Sequence, residues 1–202
     1  GDIYQVEHYS GTAVRFEDYA SLINSAYVAN DVTEIDNSAF ANYTALTKIE
    51  IPNSVTIVGN SAFSGCSKLV SVIISNSVTS ISDDMFYNCT SLESISIPSS
   101  VTEIERRAFS GCASLKNVYY LPSSITRIEE GAFSGCSSLI NAIIPSGITT
   151  IYAYTFSNCT SLTNVVIPTN ITSIAAGAFK GCAGLTSITI GENVTRIGGD
   201  AF

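Results

Sequence analysis

Histidine occurs once in this 202-residue chain, as His8. A Ser-His-Asp or Cys-His relay needs an imidazole beside its nucleophile, and one histidine in an irregular N-terminal segment is a poor start for either. Charge is scarce too: Asp, Glu, Lys and Arg make up 13% of residues. Nine cations face seventeen acids, for a formal net charge of -8. Such a surface repels phosphate backbones and anionic headgroups, so neither nucleic acid nor a membrane surface is an expected partner. No run approaches the roughly 18 apolar residues that span a bilayer, and no signal-peptide core follows Gly1. The chain therefore reads as a processed or recombinant fragment, with no membrane insertion of its own. No G-x-x-x-x-G-K-[ST] phosphate loop and no G-x-S-x-G nucleophile elbow is present. Paired acids such as Asp83-Asp84 and Glu129-Glu130 fall in variable turns, where a solvated charge is ordinary. No catalytic residue, metal ligand or cofactor is assigned, and an enzyme is not expected.

What the chain has in abundance is apolar material, 46% of residues, arranged with a period. Phe40, Phe63, Phe86, Phe109, Phe133, Phe156, Phe179 and Phe202 recur at intervals of 23, with a single interval of 24 between Phe109 and Phe133. Three positions after the second to seventh of these come Cys66, Cys89, Cys112, Cys136, Cys159 and Cys182, with Tyr43 in the first unit. Leucines from Leu46 to Leu185 follow three positions later again. Eight residues before each phenylalanine sits a valine or isoleucine, always followed by threonine, from Val32-Thr33 to Val194-Thr195. A unit this short cannot bury its own apolar face. It becomes stable when neighbours stack and share one interior.

Within a unit, Leu92-Glu93-Ser94-Ile95-Ser96-Ile97 alternates with the period of a half-buried strand. Pro52, Pro98, Pro122, Pro145 and Pro168 end such strands, because proline supplies no ladder N–H. The Val-Thr-x-Ile piece that follows is a candidate second, narrower strand column. Two residues after each phenylalanine only Gly or Asn occurs, from Asn42 to Gly181. These residues tolerate a left-handed backbone, and the expectation is a short helical turn stopped there.

The pattern Leu-x-x-Ile-x-Ile-Pro-x-x-Val-Thr-x-Ile-x-x-x-Ala-Phe-x-Gly-Cys-x-x-Leu resembles the BspA-type leucine-rich repeat family over roughly residues 28–202. The resemblance implies an α/β solenoid: a right-handed leucine-rich-repeat superhelix with a parallel β-sheet and short helical turns. It also implies a secreted or cell-surface protein that adheres to a protein or glycan of a host or neighbouring cell. It implies no catalytic residues.

Residues 1–27 are read as an N-terminal cap with a degenerate repeat, in which Phe16, Tyr19 and Leu22 keep the Phe, Cys and Leu spacing. Residues 28–202 form the solenoid, truncated or uncapped at its C-terminal end. The one longer interval surrounds Val118-Tyr119-Tyr120-Leu121-Pro122. An extra strand residue there means either a β-bulge or a neutral insertion. Cysteines repeating once per unit have parallel Cα–Cβ vectors at roughly the 4.8 Å strand spacing, which suits buried free thiols better than disulfides. Five N-x-T sequons, at Asn42, Asn88, Asn158, Asn170 and Asn193, occupy repeat positions and are explained by turn chemistry.

If Ile95 and Ile97 face inward, their neighbours face out. One outward column then reads Glu50, Ile73, Ser96, Tyr119, Ile143, Val166, Thr189, and the next reads Lys48, Ser71, Ser94, Asn117, Asn141, Asn164, Ser187. The apolar members beside a row of amides form either an interaction face or a simple outcome of strand preference among β-branched residues. The candidate ligand-binding residues are Ile73, Asn117, Tyr119, Asn141, Ile143, Asn164 and Val166. The rival to a binding module is a structural spacer that presents another domain.

Overall fold

The computed structural model describes residues 20–118 and 121–202. Tyr119, Tyr120, His8, Phe16 and Tyr19, with the readings attached to them, lie outside the described residues.

Most coils contribute short strands at two places. The wider strands are β1 (Ser25–Tyr27), β3 (Lys48–Glu50), β5 (Ser71–Ile73), β7 (Ser94–Ser96), β10 (Asn141–Ile143) and β12 (Asn164–Val166). The narrower ones are β2 (Glu34–Ile35), β4 (Ile57–Val58), β6 (Ser80–Ile81), β8 (Glu103–Ile104), β9 (Arg127–Ile128), β11 (Thr150–Ile151), β13 (Ser173–Ile174) and β14 (Arg196–Ile197). All pairings are parallel. β1, β3, β5 and β7 form one ladder, continued through single bridges Ser94–Asn117 and Asn117–Asn141 to β10 and β12. The narrow strands form a second column in the groups β2–β4, β6–β8–β9 and β11–β13–β14. Partners such as Ile49, Val72 and Ile95 are one repeat apart, so like lies on like. Across β8 and β9 the offset is longer by one, with Ile104 against Ile128. The additional residue therefore lies between Asn117 and Arg127.

The expected helical turns are not there. Among the described residues the chain is a pure parallel β-solenoid with no helix, which corrects the α/β reading. The reason is visible around Phe63. Ser61 (φ 57°) and Gly65 (φ 74°) are both left-handed, and two such residues four apart leave no room for a right-handed turn to propagate. Ala62, Ser64 and Cys66 donate backbone N–H bonds three residues back, to Gly59, Ser61 and Phe63. The alternate N–H groups of Ser61, Phe63 and Gly65 donate instead to Asp83, Met85 and Tyr87 of the next coil, at 2.8, 2.9 and 2.7 Å. A helix would have kept all of these donors to itself. Here half of them tie coil to coil.

One apolar interior runs through the stack. Phe40 to Phe202 are stacked ring on ring, with centroids 5.3–5.6 Å apart and planes within 3–11° of parallel. Phe63, Phe86, Phe109 and Phe133 are fully buried, each stabilising by about 2–3 kcal/mol through burial. The cysteines are free and buried, as expected. Each also donates its thiol hydrogen to the phenylalanine carbonyl of the preceding coil, as Cys89 does to Phe63 and Cys112 to Phe86, both at 3.1 Å.

The degenerate first unit is in a different register from the one read in the sequence. Ser25 pairs with Lys48, so Ile23 lies below Leu46 and is buried, whereas Leu22 is 68% exposed. Ala20, also buried, takes the place below Tyr43. Counting from Phe16 moves the leucine column by one position, and adjacent Leu22 and Ile23 conceal the slip.

Candidate binding face

The main ladder has two sides. Ile49, Val72, Val118 and Ala142 point into the core and are buried. Their neighbours point out: Ile73, Ile143 and Val166 keep 49%, 56% and 53% of their surface in solvent. Asn141 and Asn164 are exposed and Asn117 is half-buried. Asn141 pairs with Asn164 and Ile143 with Val166 in the β10–β12 register, while Asn117 bridges to Asn141. The three asparagines thus sit on successive coils.

These residues enclose a shallow depression of about 170 Å³. Asn117, Asn141 and Asn164 line it together with Ile143 and Val166, and Val118 and Ala142 contribute to its lining. Five of the seven candidate residues are therefore brought together. Ile73 lies on the same face, two coils away from Asn117 by way of β7. Tyr119 lies outside the described residues.

Several exposed apolar residues escaped the sequence reading. Tyr27 pairs with Glu50 on β1 and is 56% exposed, extending the outward column by one coil. Its place one full repeat before Glu50 is the signal that locates it. Val70 and Ile140, one residue before their strands, are each 43% exposed. Alternation alone turns that position inward, but its column reads Thr47, Val70, Glu93, Lys116, Ile140, Thr163, a series with charged members. Away from the main face, Tyr152 and Tyr154 are partly exposed, with the Arg127 guanidinium 5.7 Å from the Tyr152 ring centre.

The sequon asparagines are engaged by the repeat itself. Asn42, Asn88 and Asn158 are left-handed, at φ 62°, 57° and 58°. Their side-chain oxygens occupy the space that a Cβ would need at Gly65, Gly111 and Gly181 of the next coil. Asn170 donates to the Ser146 and Ile148 carbonyls at 2.7 and 2.5 Å, and Asn193 to Thr169 at 2.7 Å. Among the described residues no group of His, Cys, Asp or Glu is placed to hold a metal ion, and no helix is long and apolar enough to cross a membrane.

Comparison with known proteins converges on one family. The model of the BspA type leucine rich repeat region matches residues 15–120 and 79–202, in six copies. Among solved structures, a leucine-rich repeat protein of Bacteroides ovatus is 30% identical with a TM-score of 0.83, over 86% of this chain and 47% of that one. A leucine rich cell surface protein of Faecalibacterium prausnitzii is 33% identical with a TM-score of 0.64, over 89% and 45%. The leucine rich repeat protein of T. pallidum is 27% identical with a TM-score of 0.75, over 85% and 86%. The chain thus spans less than half the length of two of these three. No curated protein matches it in sequence. Stacked coils, the buried phenylalanine column and the family match lead to the same place: the chain belongs to the BspA-type leucine-rich repeat family.

Proposed function

We propose that this solenoid is a non-enzymatic binding module of a secreted or cell-surface protein, and that it adheres to a protein or glycan of a host or neighbouring cell through its main-sheet face. One observation carries the reading: Ile143 and Val166 are held in water on a parallel sheet next to a row of asparagines, with Ile73 exposed on the same face. Exposed apolar residues beside convergent hydrogen-bonding groups are the usual anatomy of an interaction site. The likeness to the F. prausnitzii protein, which is described as a cell surface protein, supports the location.

The test is attachment of labelled protein to epithelial monolayers and to bacterial cells. Ile143→Lys with Val166→Lys should abolish attachment while leaving the melting temperature unchanged, because both side chains are already half in solvent. Undiminished attachment would remove the main-sheet face from consideration and favour a spacer that holds another domain.

A further inference from the structure

We infer that the depression on the main sheet is a subsite for one ring of a neutral glycan, a proposal that rests on reading this face as the ligand-binding one. Charge is the first argument. The described outward positions from β5 to β12 are Ser, Ile, Asn or Val, with no ionisable group, on a chain of net charge -8. The nearest charges, Glu93 and Lys116, neutralise each other at 3.1 Å. A sulfated or carboxylated glycan meets no free cation there, and a basic peptide meets no free acid.

The shape of the depression gives the second argument. One wall is Asn117, Asn141 and Asn164, and the other is Ile143 and Val166. Each amide offers two N–H donors and a carbonyl acceptor. Three such groups, repeated at the coil spacing, suit neighbouring hydroxyls, which both donate and accept. The aliphatic wall suits the C–H face of a pyranose. At about 170 Å³ the space is smaller than the roughly 300–1,000 Å³ that encloses a drug-sized ligand, so it takes one ring of a longer chain.

The third argument concerns peptides. β10, at the centre of the depression, is bonded on one side to β12 and on the other to Asn117, so its backbone is already engaged on both sides. An extended peptide gains affinity by adding a strand to an open sheet edge. That mode is closed at β10, whereas a glycan needs only the side chains of Asn141 and Ile143 and their neighbours there.

The experiment is affinity electrophoresis through gels containing yeast mannan, laminarin or dextran, with heparin and hyaluronan as charged comparators. The whole chain should be retarded by at least one neutral polymer and by neither charged one. Retardation should be unchanged between about 50 and 500 mM salt, since no ion pair forms. Asn141→Ala should weaken it about tenfold by removing two hydrogen bonds to sugar hydroxyls, and Asn141→Gln should restore part of it. Retardation by heparin that salt abolishes would overturn the proposal. So would indifference to every neutral polymer while cell attachment still depends on Ile143 and Val166: the face would then bind a protein, and only the glycan assignment would fail.

Discussion

At the scale of single residues, the cysteine column is the most informative position. A thiol at this place fills core volume and also completes a hydrogen-bond pattern. The Phe63 carbonyl accepts from the Cys66 backbone N–H and from the Cys89 thiol, so both its lone pairs are used. Burial has a consequence for pH. It pushes the Cys112 thiol up to about 12 and Cys182 up to about 11. It also raises Cys136 and Cys159, and Cys89 is raised first by the neighbouring Cys66 thiol and then by burial. In the unfolded chain these groups ionise near 9.0. The unfolded state therefore releases protons over a range in which the folded state holds them, and stability falls as pH rises. The contribution is intact below about pH 8.5, and each such thiol removes about 1.4 kcal/mol per pH unit above the unfolded value. Thermal unfolding followed from about pH 7 to 10.5 should show a steep loss in the alkaline half, and Cys112→Ala with Cys136→Ala should make that loss shallower. An equal slope in that double variant would mean that other groups govern the alkaline limit.

At the scale of elements, the phenylalanine stack is the spine of every coil. Phe86→Ala removes a fully buried ring with stacked neighbours on both sides, for an expected loss of about 3–5 kcal/mol in urea unfolding. Phe202 is half exposed and stacks on Phe179 alone among the described rings, so Phe202→Ala should cost a small fraction of that. Comparable losses in the two variants would contradict a shared interior built by stacking. This column was fully legible in the sequence, because burial recurs once per unit whatever the backbone does between. The backbone at the turn was legible only by half. Gly and Asn two residues after each phenylalanine announce one left-handed position. The other lies two residues before it, in Ser38, Ser61, Asp84, Arg107, Tyr154 and Asp200 among others. That mixture of residue types carries no signature. With one left-handed residue a helical turn is the natural expectation, and with two it is impossible. The outward face shows a similar split: alternation located Ile73, Ile143 and Val166, but not Val70 or Ile140, where the chain bends into its strand.

At the scale of the whole molecule, the proposed binding face and the core lie on opposite sides of the same strands. Val72 and Ala142 look into the stack, while the uncharged residues beside them look out. Substitutions on the outer row should therefore alter what is bound without altering whether the protein folds. A different constraint acts along the stack. The asparagines at Asn42, Asn88 and Asn158 are each succeeded by glycine, at Gly65, Gly111 and Gly181, because the amide occupies the next coil's Cβ space. Units that look interchangeable are consequently not free to be reshuffled. Excising residues 66–88 joins Gly65 to a following Gly111, whereas excising residues 43–65 sets Asn42 beneath Asn88. The first shortened chain should melt close to the parent and the second well below it. Recombination between tandem copies, the obvious way to lengthen or shorten such a gene, would then be filtered by a rule about which coil can follow which.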